Sequence, residues 1–171
     1  TWDGPEGYAT IYENDRLSLV KTSDGLHYDL VTRLRCDSMP NETALLFGPN
    51  DELYLLVRRE IGGATGVWGE SRPPYTEWEW NDLGIRLGGP NLCALPDGSI
   101  LIGSREVQKE PHCGLYGLDG SKRAELLLRL PSGGDCSYPG FVVRGNTLWI
   151  SYYSSHEGHA AIYLATVRLD R

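Results

Sequence analysis

Arg58 and Arg105 lie 47 residues apart, and each closes a short apolar run. Planar guanidinium groups grip carboxylates through paired, charge-assisted hydrogen bonds that lysine cannot copy. Glu42 stands 16 positions before Arg58, and Tyr138 stands 33 positions after Arg105. A phenol, with an ordinary pKa of about 10, attacks near neutrality only beside a base such as a carboxylate. Asn91, Tyr152 and Tyr153 could orient hydroxyl groups. These residue types suit recognition of an anionic, hydroxylated ligand, provided the fold gathers them.

A repeated unit supplies a way to gather them. In the middle copy, Gly89 to Glu106, a short apolar strand leads through Asp97-Gly98 into a second apolar strand ending at Arg105. Upstream the same outline runs from Glu42 to Leu46, turns at Pro49-Asn50-Asp51, and continues from Leu53 to Val57 and Arg58-Arg59. Downstream it runs from Tyr138 to Val143, turns at Gly145-Asn146, and continues from Leu148 to Tyr153. Placing Leu53 on Ile100 and Thr147 gives steps of 47 and 47. A second feature keeps the same period: the hairpin at Ser23-Asp24-Gly25-Leu26-His27-Tyr28, then Ser71 to Trp78, then Asp119-Gly120.

Strand units repeating at this length predict blades of a β-propeller. The expected fold is all-β, with about three and a half four-stranded antiparallel blades. They form one propeller portion: a partial blade over 8–35, blades over 41–87 and 90–131, and a partial blade over 137–169. In such a meander Glu42, Asn91 and Tyr138 open first strands, while Arg58 or Arg59, Arg105 and Tyr152 close second strands. All are expected at one mouth of a central channel, with Arg58 rather than Arg59 facing it. A ring needs four to eight blades, so the missing ones are expected from the rest of a longer chain or from a second copy.

Composition narrows the classes. Twenty-one Gly and ten Pro against one Met and two Phe favour strands and tight turns over long helices. A net charge of -7 argues against nucleic acid or an acidic membrane as the main partner. No apolar run is long enough to span a bilayer. Thr1-Trp2-Asp3-Gly4-Pro5 has neither a basic nor an apolar leader region, so a mature or excised piece is expected. Cys36, Cys93, Cys113 and Cys136 lack metal-ligand spacing, and His112, His156 and His159 sit in polar loops; no metal and no cofactor are expected. The cysteines read as small buried hydrophobes, or as one or two disulfides in a secreted protein. Trp68 is expected in a loop over 61–69 as a sugar-stacking face, with Trp78, Trp80 and Trp149 in the core.

These residues also carry a family resemblance. Asn41-Glu42-Thr43-Ala44 with Leu55-Leu56-Val57-Arg58-Arg59, the Arg105 to Tyr138 spacing, the Asp-box-like turn at Asp24-Gly25, and the run from Asp135 through Gly158 resemble the C-terminal half of a six-bladed sialidase-type propeller. The resemblance covers nearly the whole chain and points to bacterial sialidase-like proteins, secreted or periplasmic. It implies hydrolysis of terminal acidic sugars, with Tyr138 as nucleophile, Glu42 as its base, and Arg58 and Arg105 holding the substrate carboxylate beside Asn91 and Tyr152. A tyrosine nucleophile avoids charge repulsion with that carboxylate. The family's first arginine and acid/base lie in early blades, so the chain alone is expected to be inactive. Pro139 stands where typical sialidases have Ser. A non-catalytic carbohydrate-binding propeller and a self-assembling half-ring are the alternatives.

Overall fold

A computed structural model describes residues 1–107 and 110–169 as four antiparallel sheets. The first holds β1 (Trp2–Asp3), β2 (Glu6–Glu13), β3 (Arg16–Thr22) and β4 (Asp29–Leu34). The second holds β5 (Pro40–Phe47), β6 (Leu53–Arg59), β7 (Val67–Ser71) and β8 (Glu79–Asp82). The third holds β9 (Asn91–Ala94), β10 (Ile100–Glu106), β11 (His112–Leu118) and β12 (Ala124–Arg129). The fourth holds β13 (Cys136–Arg144), β14 (Thr147–Ser154) and β15 (Ala161–Arg168). Each sheet is a meander in chain order. The strands β2, β5, β9 and β13 touch one another in succession, so they line a shared axis from which the sheets fan outward. Among the described residues no helix is long and apolar enough to cross a membrane.

Side-chain alternation explains the stacking. In β6, Leu53, Leu55 and Val57 join the cluster against the first sheet, while Leu56 turns to the third. Both faces are covered, so the strand reads as an almost unbroken apolar run. Between the third and fourth sheets, Leu101, Cys113, Leu115, Cys136, Leu148, Ile150 and Tyr152 form another buried cluster. The far face of the fourth sheet is open: Val142, Trp149, Ile162 and Leu164 are exposed. Trp149 is therefore not a core residue in this chain, contrary to the sequence expectation. Trp68 departs too, because β7 begins at Val67 and carries its ring into the interior. The ring is only 1% exposed and stacks on Tyr54 at 5.1 Å.

The ends of the first strands nearest the rim share an irregularity. Opposite Arg59 and Val57, two positions apart, β5 places Pro40 and Thr43, three apart. Opposite Tyr153 and Ser151, β13 places Ser137 and Gly140. In the third sheet Asn91 pairs with Gly103, and the Arg105 N–H donates to the Gly88 carbonyl at 2.8 Å. Three residues thus oppose two in the second, third and fourth sheets, as in a β-bulge, whereas the β2–β3 ladder of the first runs unbroken; such insertions re-aim the side chains they carry.

Candidate functional site

The bulges point their side chains and amides at one another. The Glu42 carboxylate accepts the Tyr138 hydroxyl on one oxygen; on the other it accepts Arg58 Nη1 at 2.6 Å and the Gly89 N–H at 2.9 Å. Three sheets therefore converge on one carboxylate. Ser137, fully buried, donates to the Gly88 carbonyl and fixes the Tyr138 strand against the third sheet. Tyr138 itself has φ +49°, a left-handed conformation that is an outlier for a bulky side chain and is held by the surrounding bulge. Its ring is exposed and stacks on Tyr153 with centroids 6.1 Å apart.

Electrostatics order the protons. Burial pushes the Glu42 carboxyl upward, but the hydrogen bonds from Tyr138, Arg58 and the Gly89 amide together outweigh it and hold its pKa below the ordinary value. The hydrogen bond to Glu42 is the largest influence on the Tyr138 phenol, followed by burial, and both raise its pKa; Arg58 and Arg105 pull the other way. The resting pair is thus a protonated phenol donating to an ionised carboxylate.

Arg58 is held between two carboxylates, Glu42 and Glu60, and Asn41 steadies Glu60 with a hydrogen bond of 2.8 Å. Arg59, on the other face of β6, turns away to Asp37 and Asp82. Arg105 pairs with Asp135 at 2.7 Å, and the Tyr153 hydroxyl donates to the same carboxylate oxygen at 2.8 Å. Burial, then that hydrogen bond, pushes the Tyr153 phenol up to about 12. Asn91 lies beside the cluster, donating to the Pro139 carbonyl at 2.7 Å, where it braces the residue after Tyr138.

Tyr152 is not at the rim. It is 4% exposed within the core between the third and fourth sheets, and its hydroxyl donates to the Pro131 carbonyl. The reason is register. Leu53, Ile100 and Leu148 face the preceding sheet in their blades, so the second step is 48 rather than 47, and a one-residue slip exchanges the two faces of a strand. Tyr153 takes the rim position instead. Asp135 was not anticipated either; its only signal was an acid following Gly133-Gly134 beside a rim strand.

A groove of about 460 Å³ opens alongside, lined by Tyr8, Thr10, Tyr12, Glu42, Thr43 and Tyr138 among others. That volume suits a small ligand, and one wall carries the phenol–carboxylate pair. Among the described residues no group of three or more His, Cys, Asp or Glu is placed to hold a metal ion.

No protein-family profile matches the sequence, and neither does any curated protein. Solved structures do match. A protein of unknown function from Dyadobacter fermentans aligns over 99% of this chain and 52% of its own, with TM-score 0.86 and 18% identity. A xyloglucan-locus GH43B protein from Bacteroides ovatus aligns over 95% of this chain and 36% of its own, with TM-score 0.69 and 14% identity. A xylan β-1,4-xylosidase from Bacillus halodurans aligns over 97% and 38%, with TM-score 0.61 and 12% identity. The chain thus spans about half the length of the first and little more than a third of the other two. At these identities the likeness is one of fold, giving no support to the sialidase type in particular. The chain is all-β, with the sheet architecture of propeller-fold glycoside hydrolases.

Proposed function

We propose that the rim is the nucleophile half of a carbohydrate-directed active site. The observation that carries this reading is the Tyr138 hydroxyl donating to Glu42, itself held ionised by Arg58 and the Gly89 amide. In this reading the Tyr138 oxygen bonds to the anomeric carbon as the glycosidic bond breaks, and Glu42 takes the phenol proton. The leaving group needs a proton from an acid supplied outside this cluster, by the remaining blades of a longer chain or by a second copy. Arg58 and Arg105 would hold a carboxylate on the sugar, and Asn91 would act by bracing the Tyr138 strand. Propeller neighbours named as glycoside hydrolases favour a sugar substrate in general, and the two arginines favour an acidic one.

The test is turnover of a fluorogenic sialoside by the full gene product and its Tyr138→Phe variant. Loss of turnover in a variant that melts like the parent supports the role, and equal turnover removes Tyr138 from the mechanism. A second reading, sugar binding without turnover, is favoured by one observation: the hydrogen bond between Tyr138 and Glu42 lowers the Glu42 pKa and raises that of Tyr138, which opposes transfer of the phenol proton to the carboxylate. Binding without hydrolysis, abolished by Arg105→Ala, would select it.

A further inference from the structure

Cys113 and Cys136 come from different sheets, yet the chain wraps one around the other. The Cys113 carbonyl accepts the Leu130 N–H at 2.9 Å, and the Cys113 N–H donates to Ser132 Oγ at 2.9 Å. Four residues later the chain reaches Cys136, opposite Ser154 on β14. Both side chains are 0% exposed and share one buried cluster. Their thiols interact: burial raises both, and the contact raises Cys113 further while lowering Cys136. Cys36 is apart from this pair, packed between the first two sheets, whereas Cys93 packs at the margin of the same cluster, half-buried, with its thiol donating to the Ala94 carbonyl.

We infer that Cys113 and Cys136 are a disulfide-forming pair that ties the third sheet to the strand carrying Tyr138. In an oxidising compartment the other electron acceptor would be a low-molecular-weight disulfide. One thiolate attacks it and releases the first small thiol. The second cysteine then attacks the mixed disulfide, releasing the second small thiol; the two cysteines have lost two protons and two electrons. Because the folded thiols are buried and held protonated, the exchange belongs to folding or to transient opening between the two sheets. Cys136 lies two residues before Tyr138, so the bond would brace the bulge that presents the phenol.

The experiment is refolding of the chain from denaturant in a mixture of oxidised and reduced glutathione. Alkylation in denaturant, intact mass and a non-reducing peptide map follow. The expected product is two hydrogen atoms lighter, with two alkylatable thiols rather than four, and a cross-linked peptide pair containing Cys113 and Cys136. Bridging across 23 positions should shift the unfolding equilibrium by about two orders of magnitude against the reduced chain. A Cys36→Ser, Cys93→Ser variant should keep both effects, and a Cys113→Ala, Cys136→Ala variant should lose them. Four free thiols after oxidising refolding, or a bridge through Cys36 or Cys93, overturns the inference.

Discussion

Arg58→Met tests how the rim is held together. The side chains of Arg58, Glu42 and Glu60 are 20%, 23% and 33% exposed, so the cluster is neither a surface pair nor a fully buried one. Exposed pairs are worth at most about 1 kcal/mol, and stripping one partner from a buried pair costs about 3–5 kcal/mol. An intermediate site with two carboxylates left facing each other should cost about 2 kcal/mol, an estimate bracketed by those limits. For a chain of this size that is a drop of about 4–8 °C in Tm. The Glu42 pKa is depressed in the folded state, so its stabilisation is present above the ordinary carboxylate pKa and lost as pH falls through the folded value. Thermal and urea melts should therefore show a gap between parent and Arg58→Met at pH 7 that narrows in acid. Adding Glu42→Gln to Arg58→Met should recover part of the loss. A variant as stable as the parent at pH 7, or a gap that widens in acid, would refute the account of Arg58 as the counter-charge of the rim.

Other perturbations probe separate parts. Gly89 has φ +54°, and a Cβ there would run into the Ser137 side chain; Gly89→Ala should cost about 1–3 kcal/mol and disturb the Tyr138 ring signal by NMR. Leu56 is fully buried between the second and third sheets, and Leu56→Ala should cost about 2–5 kcal/mol in a urea melt. Asp135→Asn should free Arg105 and tighten calorimetric binding of an acidic sugar by up to about fivefold, the worth of an exposed pair. Unchanged or weaker binding would count against Arg105 as a ligand group.

The repeat was legible because the middle sheets are covered on both faces, so β6 and β10 announce themselves as dense apolar runs between turns. The convergence of Glu42, Arg58 and Tyr138 followed from the same period, since strands that line one axis bring their ends together. Tyr152 was misread because the step from the third blade to the last is one residue longer than the step assumed, and alternation turns that small error into the opposite face. Trp68 was misread because the connection drawn over 61–69 runs past Val67, where β7 begins. The bulges left no compositional mark: Pro40, Gly88 and Ser137 differ in type, and only the ladder reveals their shared place. Asp135 was missed because an acid in a glycine-rich connection usually faces water, and only the tertiary approach of Arg105 and Tyr153 gives its carboxylate partners.

An extra residue at the axial tip of a strand has a lasting consequence for how such a protein can change. Beyond the insertion, a side chain no longer answers to the in-and-out rhythm that packs one blade on the next. Its identity can drift from base to amide to phenol while the apolar stack behind it stays as it is. The rim is in that sense modular, with its chemistry exchangeable and its scaffold shielded from the exchange.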